Sequence, residues 1–217
     1  NQPLAAINNY TNGCIRRIQS GTTTLDNLIE PLEEMSRQAQ RASETIKRLR
    51  RHVQKSEVEQ KILDINAVIQ NSIALLEHEI QRNAVTLQME LSPGPLQIIG
   101  DAIQIEQVLV NLLLNAFEAM SEQPPEERKV LIQSDQDQSG NPMISVTDSG
   151  IGLKKGQEKS IFETFYTTKQ KGLGVGLAIS QTIVEAHGGK LTPRRNKQGA
   201  SFILTFPVAH GDRISVI

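Results

Sequence analysis

The sequence predicts an α+β chain in two parts: a helical hairpin that pairs with a second copy as a dimeric four-helix bundle, then an α/β sandwich whose mixed sheet carries helices on one face. Three observations predict it. Apolar or small residues recur in steps of three and four between Leu4 and Val53, the period of helices that share a narrow seam. From Lys61 onward, short alternating stretches exchange with amphipathic ones, the mark of strands mixed with helices. Two glycine clusters, Asp148-Ser-Gly150-Ile-Gly152-Leu153 and Gly172-Leu-Gly174-Val-Gly176-Leu177, stand about twenty residues apart between a strand and a helix.

In the first helix Leu4, Ile7, Thr11, Cys14 and Ile18 keep the seam, and Ser20-Gly21-Thr-Thr-Thr24 breaks it. Leu25, Leu28, Leu32, Met35, Ala39, Ala42, Ile46, Leu49 and Val53 continue it in a second helix. Pro31 marks either that helix's start or a kink. Two antiparallel helices with such narrow stripes bury too little alone, which is why a second copy related by a two-fold axis is expected. The hairpin is assigned to residues 1–56 and a polar linker to 57–60.

Residues 61–208 form the sandwich and 209–217 a frayed tail. Lys61–Ile65 is expected as a short strand, with Asn66 capping an amphipathic helix to about Arg82. Val85–Leu91 and Leu96–Ile99 alternate as strands around the turn Ser92-Pro-Gly-Pro95. A helix follows Asp101, with apolar residues at 105, 108, 109, 112, 113, 116, 117 and 120 making a broad buried stripe. Lys129–Ser134 and Met143–Thr147 pair as a hairpin, the helix after the second glycine cluster ends at Gly188-Gly189, and Lys190–Thr192 and Ser201–Phe206 are the last strands.

Composition narrows the classes of function. With 38% hydrophobic and 22% charged residues the chain is globular, and a formal net charge of −1 gives no electrostatic case for nucleic acid or anionic membrane. One cysteine, Cys14, excludes an internal disulfide framework, and no Cys/His cluster has zinc spacing. A reducing cytoplasm fits that cysteine usage, and no apolar run is long enough to span a bilayer, so no membrane contact is expected of this segment, whose parent is membrane-anchored or not. The opening at Asn1, without methionine or signal-peptide character, is read as a segment of a longer polypeptide.

Asn111 and Asn115 lie four apart, one above the other on the helix that also carries the apolar stripe. Asparagine is a poor helix former, so the pair is either a satisfied polar edge or a set of hard neutral oxygens suited to Mg²⁺. Asp148 stands where a strand ends, as a turn former or as a fixed acceptor aimed into a cleft. A Gly-x-Gly-x-Gly run ahead of a helix is a flexible turn or an anion cradle. Residues 153–172, rich in lysine and glycine, read as a lid, with Phe162 and Phe165 as apolar tethers and Lys169 and Lys171 as phosphate-neutralising or simply solvated cations.

Asn111-x-x-x-Asn115, Asp148-x-Gly150-x-Gly152, Ile161-Phe162-Glu-Thr-Phe165-Tyr-Thr-Thr-Lys169 and Gly172-x-Gly174-x-Gly176-Leu177 resemble, in order and spacing, the N, G1, F and G2 boxes of sensor histidine kinases. The ATP-binding domain of that family is shared in outline with DNA gyrase B and the mismatch-repair ATPases. The resemblance implies ATP and Mg²⁺ as cofactors, with Asn115 on the metal, Asn111 supporting it and Lys169 at the phosphates. It implies Asp148, Gly150, Gly152, Thr167, Thr168, Lys169, Gly172, Gly174, Gly176 and Leu177 around the nucleotide. It also implies a homodimer that passes phosphoryl from ATP to a histidine on the first helix and then to a response regulator receiver domain.

Asn1-Gln2-Pro3-Leu4 is similar to the end of the H box, which would put the acceptor histidine three positions upstream of Asn1. None of His52, His78, His187 and His210 lies in the first helix. The basic residues Arg37, Arg41, Lys47, Arg48, Arg50 and Arg51 form a solvated face or one that meets an acidic receiver. Two rival readings are an ATP hydrolase of the gyrase type and a dimeric nucleotide-binding scaffold without catalysis. The hydrolases carry a glutamate four residues before the metal-binding asparagine, whereas this chain has Asn111, whose amide takes no proton at neutral pH.

Overall fold

The computed structural model describes residues 2–21, 24, 27–39, 60–158, 160–163, 166 and 174–209. The expected seam residues Leu25, Ala42, Ile46, Leu49 and Val53, the basic residues from Arg41 to Arg51, and most of the linker and tail lie outside the described residues. The chain divides into two compact units, Asn1–Ser56 and Glu57–Ile217.

The first unit holds helix α1, Gln2–Gln19, which ends in the Ser20-Gly21 turn with Gly21 at φ 66°, and helix α2, residues 27–39. Pro31 lies inside the described part of helix α2. The Thr11 hydroxyl donates to the Ile7 carbonyl and lies 3.0 Å from Met35 Sδ, joining the two helices at seam positions. Cys14 is buried, while Ile15, Ile18, Ile29 and Leu32 are exposed. Arg37 pairs with Glu34 on its own helix at 2.8 Å.

The second unit is a two-layer α/β structure. Strand β1, Lys61–Asp64, pairs antiparallel with β3, Gln97–Gly100, as a two-stranded sheet of their own. Strands β2 (Thr86–Glu90), β4 (Lys129–Gln136), β5 (Pro142–Asp148), β6 (Lys190–Arg195) and β7 (Ala200–Thr205) form a second sheet in the order β2-β4-β5-β7-β6. It is mixed because β2 runs parallel to β4 while the other pairs are antiparallel. Alternation sends Val130, Ile132, Ile144, Val146, Phe202 and Leu204 into the core. The opposite face carries half-exposed residues such as Gln133 and Thr147.

Helices α3 (Ile65–Leu75), α5 (Ala102–Ala119) and α6 (Gly176–Ala186) make the other layer, with the short α4 (Glu77–Arg82) at its margin. Every apolar position expected on α5, from Ile105 to Met120, is buried to 4% exposure or less, so the broad stripe is the centre of the core. A Gly188 φ of 68° and bonds from the Gly188 and Gly189 N–H groups to the Glu185 and Val184 carbonyls close α6, as the glycine pair implied. His187 Nε2 accepts from the Asp101 N–H at 3.0 Å and its Nδ1 donates to the Ile183 carbonyl at 2.7 Å. The end of α6 is thereby fixed to the start of α5.

Two local expectations are corrected. The N-cap of α3 is Asp64, whose carboxylate accepts from the Asn66 N–H at 3.1 Å. Asn66 stands inside the helix instead: its amide donates to the Ser92 carbonyl at 3.1 Å and its oxygen accepts from Ser134 Oγ at 2.6 Å, tying α3 to the turn and to β4. The single helix expected to reach Arg82 is two, broken at Leu76, whose N–H turns back to the Ile73 carbonyl and whose side chain is buried.

Because Asp64 rather than Asn66 caps α3, Asp64→Ala is expected to lower the unfolding free energy by about 1 kcal/mol in urea titrations, and Asp64→Asn to keep most of it. An unchanged midpoint in Asp64→Ala would contradict the cap.

Candidate functional site

Asn111, Asn115 and Ala119 are spaced four apart on α5 and so fall on one line along the helix, spanning about 12 Å. Both ends of that line are gripped by glycines. At the Ala119 end a Cβ on Gly150 would stand 2.7 Å from the Ala119 carbonyl oxygen, and the Ile151 N–H donates to that oxygen at 3.2 Å. At the Asn111 end a Cβ on Gly176 would stand 2.5 Å from Asn111 Oδ1. These two glycines are required for close approach, since any side chain would push the loop or helix off α5. Asn115, half-buried, lies midway between them.

The Asn111 amide is oriented from the second helix. Its Nδ2 donates to Ser180 Oγ at 2.9 Å, and Ser180 is 2% exposed. Gly176 and Ser180 are themselves four apart, so one face of α6 meets one face of α5 around this amide.

Asp148 closes β5 and is 5% exposed. Its Oδ1 accepts from the Gly150 N–H at 2.8 Å and from the Ala200 N–H at 3.3 Å, which fixes the carboxylate between its own turn and β7. The turn before β7 makes this possible: Gly199, at φ 81°, packs directly on the Asp148 backbone carbonyl. Gly152, at φ 69°, faces the Gly199 carbonyl in turn, where a Cβ would lie 2.7 Å from the oxygen.

The segment after Gly152 is anchored at two points and braced once within itself. Arg195 Nε donates to the Leu153 carbonyl at 3.0 Å. Gln157 takes the Lys154 N–H on its oxygen at 3.1 Å and donates to the Tyr166 hydroxyl at 2.8 Å. The 3-10 turn Ser160–Phe162 buries Ile161 and packs Phe162 against the core, in line with the expected tether. Helix α6 then begins after Gly174, at φ 65°, with Val175 at the N-cap and no side-chain cap bond, whereas Asp64 and Asp101 cap α3 and α5. Uncapped N–H groups at a helix start are suited to an anion.

The structure thus brings Gly150 and Gly176 onto the α5 row that holds Asn111 and Asn115, ties Asp148 to the Gly150 turn with Gly152 just after it, and sets Gly174 immediately ahead of α6, whose first turn holds Leu177. Thr167, Thr168, Lys169 and Gly172, with Phe165 and Lys171, lie outside the described residues. Gly199, Ala200, Ser180 and Arg195 are additional participants that the sequence reading did not single out. Among the described residues no three His, Cys, Asp or Glu side chains group as a metal site, so a cation here would rest on amide oxygens and on its ligand's own.

The family described as histidine kinase-, DNA gyrase B- and HSP90-like ATPase matches residues 100–210. The sensor protein FixL of Bradyrhizobium diazoefficiens is 37% identical over 96% of this chain and 41% of its own length. The sensor protein TdiS of Thauera aromatica is 36% identical over 95% of this chain and 38% of its own. The chain therefore spans about two fifths of these curated relatives. Among solved structures, the catalytic domain of histidine kinase ThkA is similar with TM-score 0.62 and 31% identity, covering 69% of this chain and 96% of that one. ThkA in complex with the response regulator protein TrrA gives TM-score 0.70 at 25% identity, over 97% of this chain and 59% of that one.

Gly199 and Gly140 both have positive φ, yet a Cβ at Gly140 meets nothing within 4 Å while one at Gly199 collides with the Asp148 carbonyl. Gly140→Ala is therefore expected to cost about 1 kcal/mol in urea unfolding, the strain of the conformation alone, and Gly199→Ala clearly more. Equal costs would mean that the turn does not press on Asp148.

Proposed function

The chain belongs to the histidine kinase-, DNA gyrase B- and HSP90-like ATPases, and on that premise we propose that it is the ATP-dependent histidine kinase core of a two-component sensor. The observation that carries the reading is the line of two amides on α5 held between a glycine turn that fixes an aspartate and an uncapped helix start. Such a cleft offers different groups to the two ends of ATP. Asp148, with Oδ1 held by two backbone N–H groups, presents a fixed carboxylate to the exocyclic amine of adenine, which favours adenine over guanine. The N–H groups at the start of α6 and its dipole face the phosphates, joined by Gly172, Thr167, Thr168 and Lys169 from the lid.

Half-buried asparagine oxygens are hard, neutral donors that fit Mg²⁺, and Asn115 would hold it with Asn111 beside it. When bound, the metal offsets phosphate charge and orients the terminal phosphoryl group. The remaining work falls to the chain's own residues. The lid, anchored through Arg195 and by Ile161 and Phe162, excludes water from the phosphates. Asn111 occupies the position where a hydrolase would carry a proton-accepting glutamate, and its Nδ2 is already committed to Ser180. With no base there to activate water, transfer to a strong nucleophile such as imidazole is favoured over hydrolysis.

In this reading a histidine accepts the phosphoryl group from ATP, and the aspartate of a response regulator receiver takes it next. The TM-score of 0.70 to a kinase solved with a response regulator supports that partner. Exposed Ile15, Ile18, Ile29 and Leu32 support a dimer through the hairpin, residues 1–56, with residues 61–208 as the ATP-binding domain. A cytoplasmic location is part of this proposal; among the described residues no helix is long and apolar enough to cross a membrane.

The chain is expected to leave itself unlabelled by radioactive ATP and to place an acid-labile phosphate on a supplied hairpin that carries a histidine three positions before Asn1. Asn115→Ala should reduce labelling at least about tenfold. No acid-labile phosphate, or fast phosphate release that Asn115→Ala abolishes, would overturn the kinase in favour of a scaffold or a hydrolase respectively.

A further inference from the structure

Two buried serines on the helices of this unit behave differently. Ser72 satisfies its hydroxyl on its own helix, donating to the Val68 carbonyl at 2.8 Å. Ser180 is reached from another helix, by the Asn111 amide at 2.9 Å, although it is 2% exposed. An apolar residue at 180 would leave the half-buried Asn111 amide N–H without that acceptor. One turn earlier, Gly176 vacates the space that Asn111 Oδ1 occupies, 2.5 Å from where a Cβ would stand. Hydrogen bond and vacancy act on the two ends of one amide: Ser180 takes the nitrogen and thereby turns the oxygen toward the first turn of α6.

We infer that Ser180 is a positioning residue for Asn111, locking its amide so that the α5 amide pair is already aligned with the first turn of α6 when nucleotide arrives. The inference rests on reading the cleft as a Mg·ATP site and adds a residue to it. A hydroxyl that only filled the helix contact would act on stability whether or not the amide is present. A hydroxyl that acts through Asn111 loses its effect once the amide is removed.

The test is a double-mutant cycle on the 217-residue chain with Ser180→Ala, Asn111→Ala and the pair, reading affinity for a fluorescent ATP analogue with Mg²⁺ and with EDTA. Ser180→Ala is expected to weaken the Mg²⁺-dependent affinity about fivefold to tenfold, to change the EDTA value less than about twofold, and to have no further effect in Asn111→Ala. The Asn111 side-chain NH₂ resonances should shift and lose protection from solvent exchange in Ser180→Ala, a signature independent of binding. Equal losses in both backgrounds, or equal losses with and without Mg²⁺, would overturn the positioning role alone. A wild-type chain that binds no Mg·ATP would overturn the nucleotide site itself.

Discussion

The close approach of two glycine-bearing segments to α5 is the constraint on which the rest depends. An α-helix presents one row of side chains every four residues, and here that row reads Asn111, Asn115, Ala119. Gly150 closes on the alanine and Gly176 on the first asparagine, each at a distance that admits no Cβ. Neither contact would form if α5 were free to shift along its axis. It is fixed by eight apolar side chains from Ile105 to Met120 in the core and by Asp101 and His187 at its start. Hydrophobic burial thus sets the register of the helix, and the register sets the spacing of the two glycine contacts.

The same architecture gives the glycines within each cluster different duties. Gly150 and Gly176 are there for closeness, while Gly174 supplies a left-handed turn at φ 65° ahead of α6. Gly152 does both, with φ 69° and the Gly199 carbonyl against it. The aspartate between them is held by backbone donors from β5's own turn and from β7, so its direction is set before any ligand arrives. Preorganisation of this kind lowers the cost of binding because less has to be ordered afterward.

Much of this was legible in the sequence because it is written locally. The stripe on α5, the end of β5 at Asp148, the start of α6 at Gly176 and the closing glycines at 188 and 189 each follow from spacing along one element. The misplaced cap shows where local reading fails. Asp64 and Asn66 are both good cap residues, and only the tertiary bonds of Asn66 to Ser92 and Ser134 decide between them. The break at Leu76 likewise follows from a buried side chain that periodicity does not reveal. Gly199 and Ser180 were invisible for the same reason. Gly199 meets Asp148 through the pairing of β5 with β7, and Ser180 meets Asn111 through the packing of two helices 69 positions apart in sequence. In the hairpin, seam spacing was readable, and Thr11 and Met35 meet as neighbours on it.

The most direct measurement is a crystal structure of the chain with Mg²⁺ and a non-hydrolysable ATP analogue. The metal is expected about 2.1 Å from Asn115 Oδ1, with the phosphates at the start of α6 and the adenine amine on Asp148. A nucleotide bound elsewhere, or a metal remote from the α5 amides, would contradict the proposed nucleotide site.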